Sequence, residues 1–117
     1  MRTLVLAACF SAFTFAGQAN AMTCPEPSQI TQAEQADKIV YTAPGNWEGD
    51  TPMGQPEALA SFRFTGSKMT STSVICRYEA DNDGGTRLAL PEPKKAVGAH
   101  WMNMECKSGS VYDCLFE

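Results

Sequence analysis

The chain of 117 residues contains a single histidine, His100. Chemistry built on several imidazoles is thereby excluded, and no G-x-S-x-G segment stands near that histidine to supply an activated serine. No apolar run reaches the roughly 20 residues that a membrane-spanning helix needs. The longest, residues 4–16, is interrupted by Ser11 and Thr14. Repeats, low-complexity tracts and domain linkers are also missing. Large apolar side chains are scarce after residue 21, with 24 Val, Ile, Leu, Met, Phe, Trp and Tyr among 96 residues, beside 15 Gly and Pro. A domain of that size buries only about 60–65% of its unfolded surface, so packing alone leaves it a thin core.

The first 21 residues read as an export signal. Arg2 supplies the positive start, residues 4–16 the apolar stretch, and Ala19-Asn20-Ala21 a small-x-small cleavage site. Leu6-Ala7-Ala8-Cys9 spells a lipoprotein processing box, but the apolar run continues past it through Phe10, Phe13 and Phe15 to the better-placed site. Residues 22–117 then form one disulfide-stabilised β domain, periplasmic or secreted. Without Arg2 they carry eight basic against 13 acidic residues. That balance argues against nucleic acid and anionic membrane faces, and suits a basic envelope or secreted protein as partner.

Cys9 leaves with the signal, and Cys24, Cys76, Cys106 and Cys114 remain. An even number in a short exported chain implies two disulfides. The gaps of 52, 30 and 8 residues hold no C-x2-C or C-x4-C pair, so zinc is not expected. Cys24–Cys76 with Cys106–Cys114 is the preferred pairing, because the Gly-containing segment 107–113 can return the chain to bonding distance. Cys24–Cys114 with Cys76–Cys106 remains open.

Hydrophobic periodicity predicts a mainly β fold, a small antiparallel meander or barrel-like sheet of about six strands, with a short N-terminal helix or turn. Thr31-Gln32-Ala33-Glu34 has the spacing of a helix capping box, with Ile30, Ala33 and Ala36 as the apolar residues. Ile39-Val40-Tyr41-Thr42 is strand-like, Asn46-Trp47-Glu48-Gly49-Asp50 a short strand or turn, and residues 51–56 a loop. Ala60, Phe62 and Phe64 alternate with Leu59, Ser61 and Arg63 in a strand whose phenylalanine side faces inward; Thr65-Gly66-Ser67-Lys68 then reverses the chain. Val74, Cys76 and Tyr78 share the core face of the next strand. Asp81-Asn82-Asp83-Gly84-Gly85 is a hairpin turn, Arg87-Leu88-Ala89-Leu90 pairs back, and residues 100–104 and 111–116 are further strands.

Candidate contact residues are Trp47, Tyr78, His100 and Trp101, since rigid aromatics anchor interfaces as readily as cores. Met102 and Met104 share a strand face with His100 and suit either core filling or an adaptable contact stripe. Residues 79–84 open like a calcium loop, but Leu90 stands where the bidentate Glu belongs, which favours the hairpin turn. Thirteen carboxylates offer too many pairs to single out an acid and a base. No catalytic residue, metal ligand or cofactor is assigned.

Cys24-Pro25, Trp47-Glu48-Gly49, Cys76-Arg77-Tyr78, Trp101 and Cys114-Leu115-Phe116 together resemble the small exported bacterial proteins grouped as domain of unknown function 3757. The resemblance spans nearly all of residues 22–117 and implies an exported single domain, with no activity or catalytic residue attached. The expected function is a non-enzymatic interaction module such as an inhibitor or immunity protein. The alternatives are a small secreted toxin or carboxylate-dependent hydrolase, and a structural envelope component.

Overall fold

β-Branched and aromatic residues alternating with small polar ones give the strands their extended conformation. The computed structural model describes residues 21–117; the signal reading of residues 1–20 and Cys9 lie outside the described residues. The strands are β1 (Thr31–Glu34), β2 (Lys38–Ala43), β3 (Trp47–Pro52), β4 (Arg63–Met69), β5 (Val74–Ala80), β6 (Gly84–Leu90), β7 (Ala96–Val97), β8 (Trp101–Met102), β9 (Glu105–Lys107) and β10 (Leu115–Phe116). Eight form one antiparallel sheet in the order β1-β2-β3-β6-β5-β4-β9-β8, and β7 pairs with β10 in a small second sheet. The fold is mainly β, as the alternation predicts.

Two meanders, β1 to β3 and β4 to β6, meet along a seam with a single register pair, Glu48 opposite Ala89. Gly49 lets the two strands close there, because a Cβ would run into the backbone carbonyl of Arg87. One face of the sheet buries Ile39, Tyr41, Trp47, Phe64, Val74, Cys76, Tyr78, Leu88 and Leu90. The two terminal segments cover it. Cys24 is bonded to Cys76 on β5 and Cys114 to Cys106 on β9, which is the preferred pairing. Met22 and Phe116 exchange backbone hydrogen bonds of 2.6 and 3.0 Å, and the Phe116 ring packs edge-on to Trp47 at 6.1 Å.

Several local expectations are corrected. Thr31 to Glu34 is strand β1, not a capped helix: its few small apolar residues give a helix no face to bury, whereas pairing satisfies its backbone against β2 and brings the Thr31 and Thr42 hydroxyls to 2.8 Å. The N-terminal turn is a short 3-10 turn, Pro27–Gln29, one step earlier. Leu59–Ser61 is also a 3-10 turn, although Phe62 and Phe64 do face the core. Thr65 to Lys68 does not reverse the chain but lies inside β4. A bulge there, with Phe64 opposite Tyr78 and Gly66 opposite Arg77, inserts one residue and shifts the inward phase to Ser67 and Met69. Gly66 is needed because a Cβ would sit 2.7 Å from the Cys106 carbonyl oxygen on β9.

The reversal follows at residues 70–73, where the Thr70 hydroxyl accepts from the amides of Thr72 and Ser73. Residues 100–104 are not one strand, since Asn103 and Met104 turn the chain from β8 to β9 with φ of 53° and 67°. The last segment is a 3-10 turn, Val111–Asp113, followed by β10.

Loop-closure entropy predicts that the Cys24→Ser/Cys76→Ser pair costs about 4 kcal/mol and Cys106→Ser/Cys114→Ser about 2.6 kcal/mol of stability. Denaturant midpoints check this, and intact-mass analysis of the folded protein should show no alkylatable thiol among these four cysteines. Gly49→Ala should destabilise by about 1–3 kcal/mol through overpacking of the seam, read as a lower midpoint at unchanged slope.

Candidate functional site: an acidic sheet end and a methionine hairpin

The antiparallel register brings three connections to one end of the sheet. The Met53 amide donates to the Asp37 carbonyl at 2.7 Å and the Asp81 amide to the Ser61 hydroxyl at 3.2 Å. Gln32 holds the intervening loop by a reciprocal pair with the Glu57 backbone, 2.8 and 3.0 Å. Glu34, Asp37, Glu57, Glu79, Asp81 and Asp83 therefore gather at this end. Arg63 stands 3.5 Å from Glu79 and 3.9 Å from Asp81, beside a cleft of about 390 Å³ lined by residues 79–84. A guanidinium thus stands against Glu79 and Asp81, two of the three carboxylates that suggested a calcium loop. Among the described residues, Glu34, Asp37, Glu57 and Asp83 have no ion-pair partner.

At the opposite edge of the sheet, His100 Nε2 lies 3.6 Å from Asp113 Oδ1. Ser108 donates to Asp113 Oδ2 at 2.7 Å. The carboxylate thus lies between imidazole and hydroxyl, whereas an activated serine needs the imidazole in the middle. Ser108 is thus held by the carboxylate and has no imidazole beside it. His100 also lines a cavity of about 430 Å³ with Met102, Asn103, Glu105 and Lys107. Met102 and Met104 are 74% and 49% exposed, so the core-filling reading of both is corrected.

Of the four candidate contact residues, Trp47 is only 4% exposed and Tyr78 is equally buried. Both belong to the interior. Tyr78 donates to the Pro25 carbonyl at 2.6 Å, which ties the N-terminal segment down beside its disulfide. Trp101 is half-buried and donates from Nε1 to the Leu115 carbonyl at 2.8 Å. Only His100 is freely exposed. Sequence reasoning did not bring Asp113 to His100 or the six acids together, because both depend on strand order.

Burial pushes the Tyr78 hydroxyl well above its ordinary pKa, and nearby Glu26 adds to it. Tyr41 is raised by burial and then by Glu57, and Tyr112 chiefly by its hydrogen bond with Glu26. Raised folded values favour the neutral phenols, so their contribution is complete below the unfolded value of about 10 and is lost as pH climbs above it. Urea midpoints should hold up to about pH 10 and fall beyond it. Tyr78→Phe should cost about 1–3 kcal/mol at neutral pH, because the buried Pro25 carbonyl loses its donor, and should blunt the alkaline fall. The Tyr41 hydroxyl is buried without a partner, so Tyr41→Phe should be neutral or stabilising.

No helix among the described residues is long and apolar enough to cross a membrane, and no three His, Cys, Asp or Glu side chains among them converge in a way that could hold a metal. No family model, curated protein or solved structure matches the chain.

Proposed function

We propose that the protein is a non-enzymatic, exported interaction module of the inhibitor or immunity kind, and that its acidic sheet end receives a basic envelope or secreted protein. The observation that carries this reading is the gathering of Glu34, Asp37, Glu57 and Asp83 at one end of a frame whose two terminal segments are covalently held. Carboxylates of one sign concentrated at an end raise the local potential and speed encounter with a cationic partner. A frame already ordered loses little further entropy on docking. The two disulfides fit an oxidising, extracytoplasmic setting, in line with the export-signal reading of the first 21 residues.

A strongly basic secreted lysozyme serves as probe. Complex formation, measured by calorimetry, should weaken by about tenfold or more between 50 and 200 mM salt, since exposed charges are screened over about 10 Å at 0.1 M. Glu34→Lys/Asp37→Lys/Asp83→Asn should abolish binding with an unchanged melting temperature; asparagine is used at position 83 because φ there is 61°. If neither lysozyme nor any basic protein from an envelope pull-down binds at low and moderate salt, or if the charge variants bind as well as the parent, the reading is wrong.

A further inference from the structure

The β8–β9 hairpin presents two thioethers and the sole imidazole of the chain within five consecutive residues, His100-Trp101-Met102-Asn103-Met104. Its packing does not account for them. Met69 is buried in the core, whereas Met102 is 74% and Met104 49% exposed. Met104 is also held in the left-handed region at φ 67°. Side chains with a Cβ rarely adopt that conformation, and here it places a thioether at the tip of a two-residue turn. The Met104 carbonyl accepts from the Met69 amide at 2.8 Å, which fixes the tip against the end of β4.

The base of the hairpin is rigid. Cys106 on β9 is bonded to Cys114, and Trp101 donates to the Leu115 carbonyl on the covering segment. His100 and Met102, two residues apart, line the same cavity of about 430 Å³. Asp113 Oδ1 stands beside His100 Nε2, and Ser108 in turn holds Asp113. At 3.6 Å this contact is longer than a hydrogen bond, and the carboxylate beside Nε2 leaves Nδ1 as the imidazole nitrogen open to a ligand.

We propose that His100, Met102 and Met104 form a site for one soft monovalent metal ion, Cu(I) or its analogue Ag(I). Neutral thioethers are poor ligands for hard divalent ions and good ones for Cu(I). With all four cysteines of the domain in disulfides, methionine supplies the soft donors that thiolates supply elsewhere. Glu105 at the cavity and Asp113 behind the imidazole offset Lys107, and the long methionine side chains can close around an ion from a two-residue turn. The site lies on the edge of the sheet opposite β1 and does not rest on the acidic-end reading.

The test is titration of the purified, oxidised protein with Ag(I) in chloride-free buffer and, anaerobically, with Cu(I) competed against bicinchoninate. Native mass spectrometry should show one ion per chain. The methyl resonances of Met102 and Met104 should shift, and those of Met22, Met53 and Met69 should not. Met102→Leu/Met104→Leu should weaken binding by about a hundredfold or more, and Asp113→Asn by about tenfold, at unchanged melting temperature. Zn(II) should not compete. Failure to retain either ion at micromolar concentration, equal affinity in the double leucine variant, or shifts centred on Met22 or Met53 would each overturn the proposal. A hairpin that instead docks these thioethers into a partner protein would leave both titrations flat.

Discussion

Both terminal segments of the described residues are bonded through sulfur to one face of a single antiparallel sheet, and the remaining structure depends on that attachment. A sheet with one apolar face must be covered to be stable in water. Among the described residues no long helix is available, and the cover is two terminal segments joined to each other by the Met22–Phe116 bridge. Such segments have little apolar surface of their own. Cys24 on Cys76, Cys114 on Cys106 and the Tyr78 hydroxyl on the Pro25 carbonyl keep them in place.

That inward covering leaves the other face, the ends and the edges of the sheet free, and charge is distributed over them unevenly. Lys38, Arg63, Lys68, Arg77, Arg87 and Lys107 alternate with buried neighbours and so lie on the outer face. Arg77 and Arg87 stand directly opposite each other across β5 and β6, a like-charge pair that costs stability unless neighbouring acids offset it. The acids collect at the end where three connections meet. A net negative charge in the composition thus becomes an outer face on which Glu48, Asp50, Glu79 and Glu105 stand among the bases, and an end where acids prevail.

The strands with clean alternation were legible in advance: β2, β5 and β6, the Asp81–Gly85 turn and the inward Cys76 and Tyr78 all follow from period-two patterning and turn chemistry. The misreadings fall where a local pattern meets a non-local demand. Thr65-Gly66-Ser67-Lys68 looks like a turn because glycine and small polar residues cluster there, yet that glycine serves a bulge and the close approach of β9. Thr31 to Glu34 has the spacing of a helix start, but β2 offers its backbone a partner. Met104 hid the β8–β9 turn, since methionine is a poor resident of the left-handed region and gives no turn signal.

Composition and spacing were enough to establish a small β domain with too little apolar mass to stand unaided, four cysteines in two bridges, and an acid excess. These follow from local chemistry: alternation, cysteine parity and charge balance are properties of neighbours along the chain. Which of the two open cysteine pairings holds, that Trp47 faces inward, that Asp113 meets His100, and that the acids share one end came from strand order and from the bulge that changes the phase of β4. Such contacts join residues tens of positions apart, and one inserted residue in a strand exchanges the faces of everything after it.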